Sequence, residues 1–177
     1  MPGFNDAFSI VVFKEETDGN DVLSLDPKDS GNWTGGAVGS GELKGTKYGV
    51  SAAAYPDLDI ANLTIDDARS IAKTKYWDPC GCDALGYGIA LCLFDFAYNA
   101  GPTESIRVLQ LSVGTDQDGV MGPQTQYATT SSNQSQLIQN FAFNRLHAYS
   151  LMRGWDIYRD TWTARTNQIR DLALASL

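Results

Sequence analysis

The chain has 177 residues, 43 % of them hydrophobic and 19 % charged, which suits one compact domain or two small abutting ones with no need of a disulfide or metal staple. Its net charge of −8 argues against a nucleic-acid partner, because phosphate binding needs a basic footprint. The same acidity means that an anionic substrate would be recognised by local hydrogen bonds and aromatic stacking, not by long-range steering.

The first predicted element is a helix over 4–16, where Phe4, Ala7, Phe8, Val11 and Val12 recur at three- and four-residue spacing. Asn5 is placed to cap it. Glu15 and Glu16 fall at its end, where carboxylates meet the unfavourable pole of the macrodipole. That costly position invites a functional explanation, the alternative being that both point into water. Residues 17–49 are rich in Gly, Asp, Asn, Ser and Thr, with seven glycines between Gly31 and Gly49. So long a non-helical stretch is functional or disordered. Trp33, Tyr48 and Asp26–Asp29 favour an ordered loop or short hairpin.

A second helix is predicted over 64–76, capped by Thr64, favoured by Asp66 and Asp67 in its first turn and stopped by Pro79 and Gly81. Residues 84–100 are apolar nearly all round, the pattern of a central core helix. Asp95 and Asn99 interrupt that pattern on one face, as structural hydrogen-bonders or as the floor of a cleft. Further helices are expected at 103–114, 123–129, 136–153 and 160–176, with a turn-rich loop at 116–122 and a polar linker at 130–135. The fold class is mainly α: a helical bundle with a loop or small hairpin region near residues 20–50.

The three cysteines are Cys80, Cys82 and Cys92. An odd count does not fit a secretory disulfide framework. Cys80 and Cys82 supply two of the about four ligands a structural zinc wants, and the sole histidine, His147, is distant in sequence. Three thiols in a chain folded in a reducing cytoplasm is the expected state, with neither metal nor cofactor. No basic-then-apolar opening suggests a signal peptide, and no run approaches the roughly 20 apolar residues of a membrane span. Serine–histidine and cysteine–histidine catalysis have only His147 to draw on, and no nucleophile elbow or phosphate loop is present.

Several motifs stand in a specific order: Glu15; Asp26-Pro27-Lys28-Asp29-Ser30-Gly31-Asn32-Trp33-Thr34-Gly35-Gly36; Gly45-Thr46-Lys47-Tyr48-Gly49-Val50; Tyr76-Trp77-Asp78; Phe94-Asp95 with Asn99-Ala100-Gly101; Asp118-Gly119-Val120-Met121-Gly122-Pro123-Gln124-Thr125; and Trp162-Thr163-Ala164-Arg165. In this order they resemble glycoside hydrolase family 108, the lysozyme-like muramidases of phage-endolysin type. The chain departs from the family pattern after the glutamate, where Glu16 and Thr17 replace two glycines and about five extra residues precede Asp26.

The resemblance implies a lysozyme-like catalytic region at 1–101 and a helical, predicted peptidoglycan-binding region at 102–177, packed as one compact unit. Glycosidic cleavage needs an acid for the leaving oxygen and a group that stabilises or attacks the oxocarbenium-like centre. Glu15 is the expected acid, kept protonated by desolvation, with Glu16 as fallback. The likeness to phage lysozymes, with their glutamate, aspartate and threonine, implies that Asp29 and Thr46 position a water. A carboxylate separation of roughly 6.5–9.5 Å would then give inversion. Asp26 is the competing carboxylate or an Asx-turn former. Trp33, Tyr48 and Trp77 are candidates for stacking on sugar rings or for the core, and Asn99 for a sugar-amide contact. The substrate would be peptidoglycan glycan strands, cut between N-acetylmuramic acid and N-acetylglucosamine by a monomer made in the cytoplasm and delivered to the periplasm. The alternatives are a lytic transglycosylase and a non-catalytic wall-binding or secretion-associated protein.

Overall fold

The computed structural model describes residues 2–12 and 22–177. In chain order the elements are helix α1 (Phe4–Val11), strands β1 (Thr46–Lys47) and β2 (Val50–Ser51), then helices α2 (Ile65–Ala72), α3 (Tyr87–Ala100), α4 (Pro102–Val113), α5 (Pro123–Ser131), α6 (Gln134–Ser150) and α7 (Trp155–Ala175). A π-helical segment, Lys73–Trp77, follows α2. The class is mainly α, as the periodicity predicts.

Contacts divide the chain into two compact units, one of Met1–Ala7 with Lys73–Leu177 and one of Phe8–Ala72. In the larger unit the apolar circumference of α3 packs on α4, α6 and α7, which makes it the centre of these helices.

In the larger unit, α3 is buried continuously from Gly88 to Ala97. Each fully buried Leu, Ile or Phe there contributes roughly 1.5–3 kcal/mol. Gly88 permits the close approach: a Cβ at that position would stand 2.8 Å from the Ala173 carbonyl and 2.9 Å from Ile138 Cδ1. The one charge in this buried stretch is Asp95, fully buried. Its carboxylate meets Arg145 of α6 and Arg165 of α7, each at 2.6 Å. Burial works against the charge on Arg145, but the field of Asp95 and the Tyr149 hydroxyl outweigh it and hold the guanidinium above its ordinary value.

Helix α7 starts five residues earlier than expected. Gly154, left-handed at φ 102°, makes the break from α6 short. The early turns of α7 then gather Trp155, Tyr158 and Trp162 ring against ring, with Trp162 stacked on Tyr149 at 4.6 Å.

The smaller unit has little regular structure. β1 and β2 pair antiparallel, Thr46 opposite Ser51 and Lys47 opposite Val50. The two-residue turn between them places Tyr48 at φ 53° and Gly49 at φ 76°, the left-handed pair that a tight hairpin of matching twist requires. Isolated bridges join Ser24 to Thr46 and Trp33 to Leu43. Val50, Ile60, Leu63 and Ala68 form the small core, with Leu23, Tyr48, Tyr55, Leu58 and Ile71 packed on it. Thr64 caps α2: its hydroxyl accepts from the Asp67 amide at 3.2 Å, and the Asp67 carboxylate accepts from the Thr64 amide at 3.0 Å.

Candidate active site

Side chains alternate across a strand, and directly paired residues share a face. Thr46, its partner Ser51 and its bridge partner Ser24 therefore define a polar face of the hairpin. Leu23, Leu25 and Val50 belong to the other, where Leu23 and Val50 join the small core. Gly45 has φ 87°, and a Cβ on it would stand 2.4 Å from the Ser24 carbonyl and 2.9 Å from Leu23 and Leu25 side-chain carbons. Only glycine fits between these chains.

Beside the polar face lies the turn Asp26–Asn32. Asp26 Oδ1 accepts from the Lys28 amide at 3.0 Å, an Asx turn. Asp29 caps the short 3-10 helix Ser30–Asn32, its Oδ1 accepting from the Gly31 amide at 2.8 Å. The Asp29 side chain is exposed, and its second oxygen has no hydrogen-bonded partner among the described residues. A Cβ on Gly31 would stand 3.2 Å from Asp29 Oδ1 and 3.8 Å from Ser51 Cβ, so the carboxylate turn and the Thr46–Ser51 pair adjoin. Thr46 donates its hydroxyl to Asn32 Oδ1 at 2.7 Å.

Asp26, Asp29, Trp33, Thr46 and Tyr48 thus lie within the smaller unit. Trp33 is half-buried and donates its indole N–H to the Pro27 carbonyl at 2.9 Å. Tyr48 is half-buried at the hairpin tip, with the Lys47 ammonium 5.4 Å from its ring centroid. Trp77 and Asn99 belong to the larger unit. Trp77 is only 2 % exposed, makes edge contacts with Phe4 and Phe94 at 5.5 Å each and donates to Asp83 at 2.6 Å. It is a core residue with no free ring face for a sugar. Asn99 is exposed on the last turn of α3, its amide donating back to the Asp95 carbonyl at 2.7 Å. Glu15 and its fallback Glu16 lie outside the described residues.

Sequence reasoning missed Asn32 and Ser51. Asn32 is fully buried, but a lone polar residue in a glycine-rich stretch has no periodicity to mark it as interior. Ser51 becomes visible only once the register pairs it with Thr46.

A groove of about 390 Å³ in this unit is lined by Leu23, Leu25, Leu43, Lys44, Leu58 and Ile60 among others. Leu23 and Leu25 place it at the side of the hairpin away from Thr46, so its size does not make it the reaction site. Around the 116–122 loop, Gln110 donates to Asp118, to the Val120 carbonyl and to Thr125 at 2.6, 3.1 and 3.2 Å, and accepts from the Gly119 amide at 2.9 Å. This network closes the loop on itself. Among the described residues no cluster of three His, Cys, Asp or Glu side chains is placed to hold a metal ion. All three cysteines are buried free thiols. Burial raises Cys82 well above its ordinary value, the Cys80 thiol beside it adding to the shift, and pushes Cys92 up to about 12. These are inert interior groups.

A mainly helical chain with a central apolar helix and a loop-built hairpin site has the architecture of the lysozyme-like hydrolases. The family model for glycosyl hydrolase 108 matches residues 11–101, just over half of the chain, and the chain belongs to that family. The structure is similar to one described as Brucella abortus SagA, with a TM-score of 0.79 and 26 % identity over 97 % of this chain and 94 % of that one. Comparison with curated proteins finds no match. Family membership makes the chain a glycosidase, with peptidoglycan hydrolysis as its general activity. No helix among the described residues is long and apolar enough to cross a membrane.

Proposed function

We propose that the chain is an N-acetylmuramidase that cleaves the β-1,4 bond between N-acetylmuramic acid and N-acetylglucosamine. Glu15 is its general acid, and Asp29 and Thr46 hold the water. The observation that carries this reading is that one buried asparagine bonds both the Asp29 backbone carbonyl and the Thr46 hydroxyl, within the stretch that matches the family. An exposed carboxylate whose second oxygen has no partner among the described residues, in a turn that adjoins a hydroxyl of fixed orientation, is suited to bind a water and take its proton. Glu15 lies inside the matched stretch and supplies the proton for the leaving oxygen. The bond breaks as the leaving oxygen gains that proton, while the water attacks C1 from the opposite side and gives its proton to Asp29. The anomeric configuration inverts.

Trp33 and Tyr48 offer partly exposed rings for sugar faces, and Asn99 a side-chain oxygen for a substrate N–H. Asp26 builds the turn that carries Asp29. The enzyme acts as a monomer on glycan strands in the periplasm, reached after release through a membrane lesion or by a secretion apparatus.

The test is digestion of purified Gram-negative sacculi, with released muropeptides read by mass spectrometry. Reducing-end muramic acid is the expected product. Anhydro-muramic ends would replace the hydrolase with a transglycosylase. Binding to sacculi without release of fragments would replace it with a wall-binding protein, an outcome to which the altered residues after Glu15 draw attention.

A further inference from the structure

Asn32 is fully buried in a turn whose other residues are exposed or half-buried. Each of its four polar groups is engaged. Nδ2 donates to the Asp26 carbonyl at 3.0 Å, and Oδ1 accepts from the Thr46 hydroxyl at 2.7 Å. Its backbone carbonyl accepts from the Lys44 and Gly45 amides at 3.1 and 3.0 Å, and its own amide donates to the Asp29 carbonyl at 3.2 Å. One side chain and its peptide groups therefore tie the turn of Asp29 to the strand of Thr46.

These bonds also fix a direction. With Nδ2 on a carbonyl, the face of the amide turned to Thr46 must be Oδ1, which only accepts. The hydroxyl hydrogen of Thr46 is committed to it, and Thr46 Oγ1 presents only lone pairs outward. A water held there must donate to Thr46. A water that gives one hydrogen to Thr46 and the other to the Asp29 carboxylate has its lone pairs turned away from both.

We infer that Asn32 is a positioning residue for the hydrolysis: by taking the Thr46 hydroxyl hydrogen and bracing the Asp29 turn, it aims a lone pair of the attacking water at the anomeric carbon. The water oxygen forms the new bond to C1, its proton passes to Asp29, and the glycosidic oxygen leaves with the proton of the acid. The inference rests on Asp29 and Thr46 being the water-holding groups.

The test is a double-mutant cycle of Asn32→Ser and Thr46→Val on soluble peptidoglycan fragments, with kcat and KM measured separately and folding checked by thermal melting. Asn32→Ser should lower kcat about ten- to a hundredfold, the scale set by an ångström of misplacement, with KM within about threefold. In the Thr46→Val background it should lower kcat by clearly less than in wild type, the remaining loss being that of the unbraced Asp29 turn. An equal loss in both backgrounds would make Asn32 a purely structural brace. A harmless Asn32→Ser beside a damaging Thr46→Val would overturn the inference alone, whereas an unimpaired Thr46→Val would remove the water-holding reading beneath it. If Asn32→Ser does not fold, Asn32→Asp serves. A protonated carboxyl makes both side-chain bonds and an ionised one loses the donor, so its kcat relative to wild type should fall as pH rises. A pH-independent ratio would contradict the inference.

Discussion

The two units are held together by different means. In Lys73–Leu177, regular helices satisfy the backbone and order comes from apolar packing around α3, with one buried charge cluster at its centre. In Phe8–Ala72, the strands are two residues each, and much of the order comes from side chains bonded to backbone: Asp26, Asp29, Asn32 and Thr34 each close a turn or join two segments. Packing tolerates small shifts of many atoms. A hydrogen-bonded loop places a few atoms sharply and fails when one bond is lost. The candidate water-holding groups lie in the second kind of structure, the reactive loop of a common division between scaffold and site.

Three substitutions and one titration can break or sharpen this contrast. The largest effect belongs to the helical unit. Asp95→Ala removes the buried carboxylate that Arg145 and Arg165 share and should cost about 3–5 kcal/mol in denaturant unfolding; a cost under about 1 kcal/mol would mean that the cluster does not organise the bundle. Next, Gln110→Ala removes the bonds that close the 116–122 loop and should cost about 1–3 kcal/mol while leaving sacculus cleavage at the wild-type rate. A loss of cleavage without a loss of stability would give that loop a part in the reaction. In the smaller unit, Gly45→Ala should cost about 1–2 kcal/mol for its left-handed backbone alone. Because Gly45 adjoins Thr46, it should lower cleavage out of proportion to its effect on the melting temperature.

The smallest effect is a titration. The Gln110 amide, then the Val120 amide, hold the Asp118 carboxyl below its ordinary 3.8. A depressed carboxylate contributes stability that is full above the unfolded value and is lost as pH falls through the folded one. Exchange of the Gly119 and Val120 amides, corrected for the intrinsic rate, should therefore accelerate only below about pH 4. Acceleration already near pH 6 would point to another group.

The helical unit was readable from sequence because its order is periodic. The all-apolar face pattern of 84–100 places α3 at its centre; in the smaller unit, Thr64 with Asp67 likewise marks the start of α2. The partners of α3 were not readable, since its pattern shows that it is buried but not against which helices. Nor was Arg145, which sits mid-helix as an ordinary charge until α3 brings Asp95 to it. In the smaller unit, Asp29 and Thr46 are visible through the family motif. Asn32 is not, because its role comes from contacts six and fourteen residues away that no local pattern encodes.

The central claim is that a single glutamate drives glycosidic cleavage, and it is tested most directly by Glu15→Gln beside Glu16→Gln on purified sacculi. The account predicts that Glu15→Gln binds sacculi but releases no reducing-end muramic acid, while Glu16→Gln cleaves at close to the wild-type rate. Full cleavage by Glu15→Gln would contradict it.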